Sequence, residues 1–231
     1  MGKILSIGSN IDATVVGNLG AYLGKLERAG LRIVGGFIVP VDEELQFGVS
    51  SEILRDFDQL SAETVALRSS SVSPDIFLNE TIRGVRRDNL TGTIDYLQKN
   101  ASRREEKVAI VVQKDLNAEC SGTIHSQNPV TLDAGEILIE ANLWMNNTVL
   151  SGESETDMIL INKNTGALNL ESEEEDEICL MPNQIAQLHN MVRKVEKVLD
   201  EPVSVDWAFD NNVLYILNAR PITQMTYERY R

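Results

Sequence analysis

Near its carboxyl end the chain reads VDWAFDNNVLYILNARPIT, from Val205 to Thr223. Three side chains in this mostly apolar stretch can do chemistry: Asp206, Asn218 and Arg220. Side chains alternate faces along a strand, so Ser204 and Asp206 share one face, and Asn218 and Arg220 share another. The odd positions Val205, Trp207 and Phe209, with Val213, Tyr215 and Leu217, are apolar and are expected on the opposite side. If Asp210-Asn211-Asn212 forms a three-residue turn, the even faces of the two strands coincide. Asp206, Asn218 and Arg220 then point into one space. A carboxylate beside a nucleotide's phosphates suits magnesium, and an arginine forks onto a phosphate. The same spacing also suits a solvent-facing edge hairpin on which Arg220 simply pairs with Asp206. Spacing alone leaves both readings open.

The elements that must carry these residues are legible in part. Leu19, Leu23 and Leu26 repeat at helical spacing within residues 18–29, and Gly30 stops that helix. Residues 35–40 read as a short strand, 51–60 as a helix, 64–70 as a strand ending in serines and 89–99 as a helix. VAIVVQK, from Val108 to Lys114, has no polar residue before Gln113 and reads as a buried strand. Residues 136–143 and 157–163 read as two more strands. The acidic run at 171–177 reads as a solvated loop. Ile185, Leu188, Val192, Val195 and Val198 form one stripe on a helix over 183–199, just ahead of the hairpin.

Composition narrows the function classes. The 231 residues suffice for one large domain or two small lobes around a cleft, and 42% hydrophobic content supplies a core. A net charge of -14 disfavours nucleic acid and anionic membranes as partners. No apolar run approaches membrane-spanning length, and the opening MGKILSIGSN lacks the apolar core of a signal peptide. Cys120 and Cys179 are far apart and have no metal-ligand spacing, which reads as free thiols in a cytoplasmic protein.

Five segments, taken in order, resemble the ATP-binding domain of the phosphoenolpyruvate synthase and pyruvate phosphate dikinase family, an ATP-grasp fold. The hairpin resembles D-I-E-W-A, a turn, then L-Y-I-L-Q-x-R-P-x-T. GNLGAYLGKLERAGLRIVGGFIVP (Gly17 to Pro40) resembles the family's opening G-G-K-x-A-x-L-G-E-L and A-G-I-P-V-P-P-G-F. VALRSSSVSPD (Val65 to Asp75) resembles V-A-V-R-S-S-A-T-x-E-D. VAIVVQKDLNAECSGTIHSQNPVT (Val108 to Thr131) resembles V-Q-x-M-x-x-x-x-x-S-G-V-x-F-T-x-D-P-V-T. ILIEANLWMNNTVLSGE (Ile137 to Glu153) resembles I-E-A-x-W-G-L-G-E-x-V-V-S-G-E.

The resemblance implies an α+β, two-lobed ATP-grasp fold with mixed or antiparallel sheets and flanking helices. It implies a first lobe over 1–107, a second over 108–223 and a tail over 224–231. ATP and magnesium are the cofactors it implies. Arg68 matches a residue contacting ATP phosphates, Gln113 a position near the adenine, and Glu140 a strand lining the nucleotide pocket. Asp206 and Asn218 match metal-ligand Glu and Gln, each one methylene shorter, and Arg220 matches a phosphate-gripping arginine. Arg68 and Arg220 are thereby the candidates for phosphoryl-transfer chemistry.

Departures from the pattern run alongside. The family's G-G-K lysine falls at Leu19, which fits the helix's own apolar stripe. Phosphoryl transfer rests on positioning and charge, and leucine supplies no charge. Ser204 stands where the first acid of D-x-E is expected, and Trp144 and Asn146 replace glycines. No counterpart of the loop S-F-A-G-Q follows Asp75. Lys25 lies on another face of Leu19's helix and is a poor substitute for the lysine; Lys114 sits beside the adenine hinge and reads either as a solvated surface lysine or as one within reach of an α-phosphate. Of the two histidines, His125 reads as a packed strand or loop residue and His189 as a surface or boundary helix residue. Neither resembles a phosphocarrier, and the sequence contains no swivelling histidine domain or pyruvate-binding barrel. Two functions follow as expectations. One is an ATP–magnesium domain that transfers phosphoryl to a partner bearing the swivelling histidine, or to a small molecule. The other is an inactive relative serving as nucleotide sensor or interaction module.

Overall fold

The computed structural model describes residues 4–41, 47–73, 80–143, 156–168 and 179–222. Asp75, Trp144, Asn146 and the acidic run at 171–177 lie outside the described residues. The chain divides into two compact units, Met1–Asp115 and Leu116–Arg231. Each contains one five-stranded sheet, and all pairings are antiparallel.

The first unit holds β1 (Leu5–Ser6), α1 (Ala13–Arg28), β2 (Gly36–Val39), α2 (Phe47–Gln59), β3 (Val65–Ser71), β4 (Thr81–Val85), α3 (Leu90–Arg103) and β5 (Val108–Lys114). Its strand order is β1-β2-β5-β3-β4. The apolar run of β5 is explained by this central place: both of its faces are covered. Val108, Ile110 and Val112 join Val65, Leu67, Phe37 and Val39 in a core with Ile53 and Phe57 of α2 and Ile94 and Leu97 of α3. The sequence boundary at 107/108 falls before β5. Hydrogen bonding of β5 to β2 and β3 extends the first unit through Asp115 instead.

α1 starts where the Asp12 side chain accepts the Thr14 N–H at 2.8 Å, five residues before glycine 17 interrupts it. Gly17 has φ 68° and ψ 171°, and a Cβ there would collide with the carbonyl of Ser70. This close approach demands glycine. Beyond the kink Leu19, Leu23 and Leu26 are buried, as their spacing predicts. Each contributes about 2 kcal/mol by leaving water. Ser70 Oγ fastens α1 to β3 by donating to the Val16 carbonyl at 2.9 Å and accepting from Gly20 N–H at 3.2 Å.

The second unit holds β6 (Cys120–His125), β7 (Glu136–Leu143), β8 (Asp157–Asn162), α4 (Pro182–Leu199), β9 (Val203–Asp210) and β10 (Val213–Pro221), in sheet order β10-β9-β6-β7-β8. One sheet face is apolar: Val205, Trp207, Phe209, Ile124, Ile137, Ile139 and Ile159 are buried. α4 contacts β6 and β9 and buries Ile185, Leu188, Val192 and Val195. Trp207 and Phe209 meet edge to face, with ring centroids 5.7 Å apart. Gly122 of β6 lies beside Trp207, and a Cβ there would strike the Glu140 carbonyl. His189 of α4 is more enclosed than a surface reading implies: it is buried, and Nε2 donates to the Lys163 carbonyl at 2.8 Å.

The hairpin joining β9 to β10 departs from the expected geometry. Asp210 pairs directly with Val213, so the loop is two residues, Asn211 and Asn212, not three. Both have positive φ, 51° and 59°, the signature of a type I′ turn. A two-residue loop alone would place Asp206 opposite Leu217. A bulge between Ile216 and Asn218 shifts the register by one residue and pairs Asn218 with Asp206. The expected apolar face therefore needs correction. Phe209 and Trp207 pair with Leu214 and Ile216, while Val213 and Tyr215 pair with Asp210 and Ala208.

Candidate functional site

Beyond the bulge the even positions of β9 and β10 share one face of the second sheet. Asn218, Asp206, Thr123 and Glu140 form one row across four strands, and Arg220, Ser204 and His125 form the next. Asp206 is the hub. Its Oδ1 accepts from Thr123 Oγ1 at 3.1 Å. Its Oδ2 accepts from Asn218 Nδ2 at 3.0 Å and Arg220 Nη1 at 2.9 Å. The pair is partly shielded, with 25% of the Asp206 side chain and 15% of the Arg220 side chain exposed. Asn218 and Glu140 are buried. The structure thus joins Asp206, Asn218 and Arg220, and adds Thr123.

Thr123 escaped sequence reasoning because β6 was not recognised as a strand of its own. CSGTIH carries little β signal, and the threonine's role comes only from its cross-strand partners. The next row holds a buried pair: His125 Nδ1 lies 2.7 Å from Ser204 Oγ. The expectation of a packed His125 agrees with this burial.

The first unit carries a separate cluster. Arg68 of β3 donates from Nε to Gln113 Oε1 at 3.1 Å and from Nη1 to Thr81 Oγ1 at 2.9 Å. Gln113 is 2% exposed, and its Nε2 is a buried donor with no hydrogen-bond partner among the described residues. Leaving a buried amide donor unmade costs about 1–3 kcal/mol. The contact with Arg68 fixes the amide's orientation, because Oε1 must face the guanidinium. An acceptor reaching Nε2, such as a phosphate or ring-nitrogen lone pair, would relieve that cost.

Asp206 and Asn218 offer the hard oxygen donors that magnesium takes. Both carboxylate oxygens of Asp206 already accept hydrogen bonds, and Arg220 pairs with it, though on a partly shielded rather than a solvent-facing side. Among the described residues, no group of three or more His, Cys, Asp and Glu side chains is placed to hold a metal ion.

A family model for the pyruvate phosphate dikinase AMP/ATP-binding domain matches residues 89–169 and 162–230, more than half of the chain. The chain belongs to the pyruvate phosphate dikinase AMP/ATP-binding domain family. Among curated relatives of this family domain, the uncharacterized phosphotransferase YvkC of Bacillus subtilis is 27% identical over 94% of this chain and 34% of its own length. A probable phosphoenolpyruvate synthase of Methanocaldococcus jannaschii is 24% identical over 94% of this chain and 26% of its own length. The chain thus spans about a third or less of these relatives. Among solved structures, D-alanine–D-alanine ligase from Bacillus anthracis, complexed with ATP, superimposes with a TM-score of 0.53 at 12% identity, covering 90% of this chain and 55% of that one. That likeness concerns the fold alone. It places this family domain in the α+β ATP-grasp class, in agreement with the sequence.

Within the family frame two departures acquire a structural account. Leu19 is 5% exposed on the packed side of α1, so a core residue occupies the lysine position. Ser204 is fully buried against His125, so a hydrogen-bonded serine–histidine pair stands where an acid is expected. Lys25 is exposed and lies 5.6 Å from the Tyr22 ring centroid, and Lys114 is exposed at the end of β5. Among the described residues, no helix is long and apolar enough to cross a membrane.

Proposed function

We propose that this chain binds ATP with magnesium for phosphoryl transfer to an acceptor. The acceptor is a histidine on a partner protein or a small molecule. The single observation that carries the binding half is the Arg68–Gln113 pair. A half-buried guanidinium neighbour and an amide donor without a partner among the described residues, both on one sheet face, suit an anionic ligand rich in acceptors.

Each residue then has a task. Arg68 and Arg220 draw phosphate oxygens by charge and by forked donors. Gln113 holds the Arg68 guanidinium in place, and Asp206 does the same for Arg220. Glu140 supports the nucleotide from β7. Asp206 and Asn218 would hold magnesium, which neutralises phosphate charge when bound.

A second reading, a nucleotide sensor or interaction module without transfer, is favoured by one specific observation. Leu19 is part of the core, and so the domain lacks a lysine at the position where transfer chemistry needs one.

Calorimetric titration of ATP with magnesium into the protein, Arg68→Ala and Arg220→Ala tests the binding. Micromolar affinity that falls at least tenfold in both variants is the expected result; no heat at millimolar ATP overturns the proposal. Release of labelled phosphate from ATP then separates the readings. Binding without any release, in the presence of a histidine-domain protein, leaves the sensor reading standing.

A further inference from the structure

We propose that Cys120 and Cys179 are a redox-modification site: a dithiol that closes reversibly to a disulfide in the second unit. The two residues are 59 positions apart, yet their Sγ atoms lie 3.4 Å from each other. They are the chain's two cysteines, so one intramolecular pairing is possible.

The approach is built into the backbone at both ends. Cys120 opens β6 and is paired on one side with Leu143 and on the other with Phe209. Cys179 donates its backbone N–H to Asp157 Oδ2 at 2.8 Å, two residues ahead of Met181 at the start of α4. Asp157 is itself held in β8 opposite Ala141. Strand pairing and a charge-assisted hydrogen bond therefore bring the thiols together, and closure needs no unfolding.

The thiols are unequal. Cys120 is 3% exposed, while Cys179 is partly exposed and is the one an oxidant reaches. The Cys179 thiol donating to Cys120 pulls the Cys120 pKa below its usual value. That same contact, with burial and the Asp157 carboxylate, pushes Cys179 up. Attack by Cys179 is accordingly the slow step.

The oxidant class is a low-molecular-weight disulfide. The Cys179 thiolate, its proton lost to solvent, attacks one sulfur of that disulfide. The S–S bond breaks and the first small thiolate leaves, taking up a proton. The Cys120 thiolate, its proton lost to solvent, then attacks Cys179 Sγ; the mixed S–S bond breaks and the second small thiolate leaves, taking up a proton. Two protein thiols lose two electrons, and one small disulfide becomes two small thiols.

Even and odd positions of β6 face opposite ways, so the crosslink at Cys120 lies on the face away from Thr123 and Asp206. Closure therefore fastens the start of α4 to the sheet without entering the Asp206 cluster.

The full-length chain is equilibrated with mixtures of reduced and oxidised glutathione, quenched by alkylation, weighed intact and melted. The expected result is loss of both thiols in one two-electron transition, with a monomer lighter by two hydrogens. Its Tm rises by roughly 5–15 °C, reversed by dithiothreitol. Cys179→Ser, at the partly exposed position, abolishes the mass loss and the Tm shift; Cys120→Ser does the same if it folds. Two thiols that stay alkylatable at every ratio overturn the proposal. So does a glutathione adduct on each cysteine, or a covalent dimer.

Discussion

Asn218 stands directly across from Asp206 because one residue, Leu217, is bulged out of β10. The amide then donates to the carboxylate at 3.0 Å, and Arg220 follows two residues later on the same face. A single extra residue decides whether the hairpin presents a polar cluster or hides it.

The Asp206–Arg220 pair is coupled rather than additive. Asp206→Ala and Arg220→Ala each leave a partly buried charge without its partner. Each is expected to lower stability by about 1–3 kcal/mol, and the double variant by less than the sum. Urea unfolding of the four proteins reads a coupling of roughly 1–2 kcal/mol; strict additivity would show the pair to be energetically idle.

The turn makes a prediction of the opposite sign. Asn212 has φ 59°, which glycine adopts without a Cβ penalty. Asn212→Gly is expected to raise stability by about 0.5 kcal/mol, and Asn212→Val to lower it by about 1–2 kcal/mol. Thermal melts in one buffer compare the two.

Restoring the family lysine by Leu19→Lys is expected to fail. The side chain would enter the α1 core, and an unpaired buried ammonium either destabilises the fold or loses its proton. A loss of about 2–5 kcal/mol in urea is expected, with no gain in phosphate release from ATP. A stable, more active variant would show that this helix has room to turn the lysine outward.

Acid sensitivity follows from Asp58. Its hydrogen bonds with Arg87, at 2.7 and 2.9 Å, hold its pKa below the ordinary 3.8. A depressed carboxylate pKa contributes stability that is present above the unfolded value and lost as pH falls through the folded one. The Tm advantage of the protein over Asp58→Asn is therefore expected at neutral pH and to fade below pH 3.8. Melts across pH 2 to 7, taken over roughly that range, test the sign.

The helices were legible because their apolar spacing is regular: Leu19, Leu23 and Leu26 in α1, and Ile185, Leu188, Val192 and Val195 in α4. The buried run of β5 was legible as a strand, but not its membership of the first sheet, which depends on pairing with β2 and β3. β4 and β6 were missed as separate strands; TIRGV and CSGTIH lack strong alternation and each contains a glycine. The hairpin's polar cluster was foreseen, yet for a different reason than the true one. A three-residue turn is the condition under which spacing joins these residues, whereas the structure joins them by a two-residue turn of left-handed asparagines and a bulge. The contact of Arg68 with Gln113 spans 45 positions and has no local signature. The approach of Cys120 to Cys179 is equally long-range, since spacing alone reads them as unrelated.

The bulge has a consequence for comparing relatives. A three-residue loop with a regular β10 and a two-residue loop with a bulge both bring the even positions together. An insertion at the tip and a deletion at position 217 therefore cancel, leaving chain length and polar face alike. Sequences that slide this one-residue gap along the hairpin are geometric synonyms, and aligning them without it pairs a structural leucine with a neighbour's functional amide.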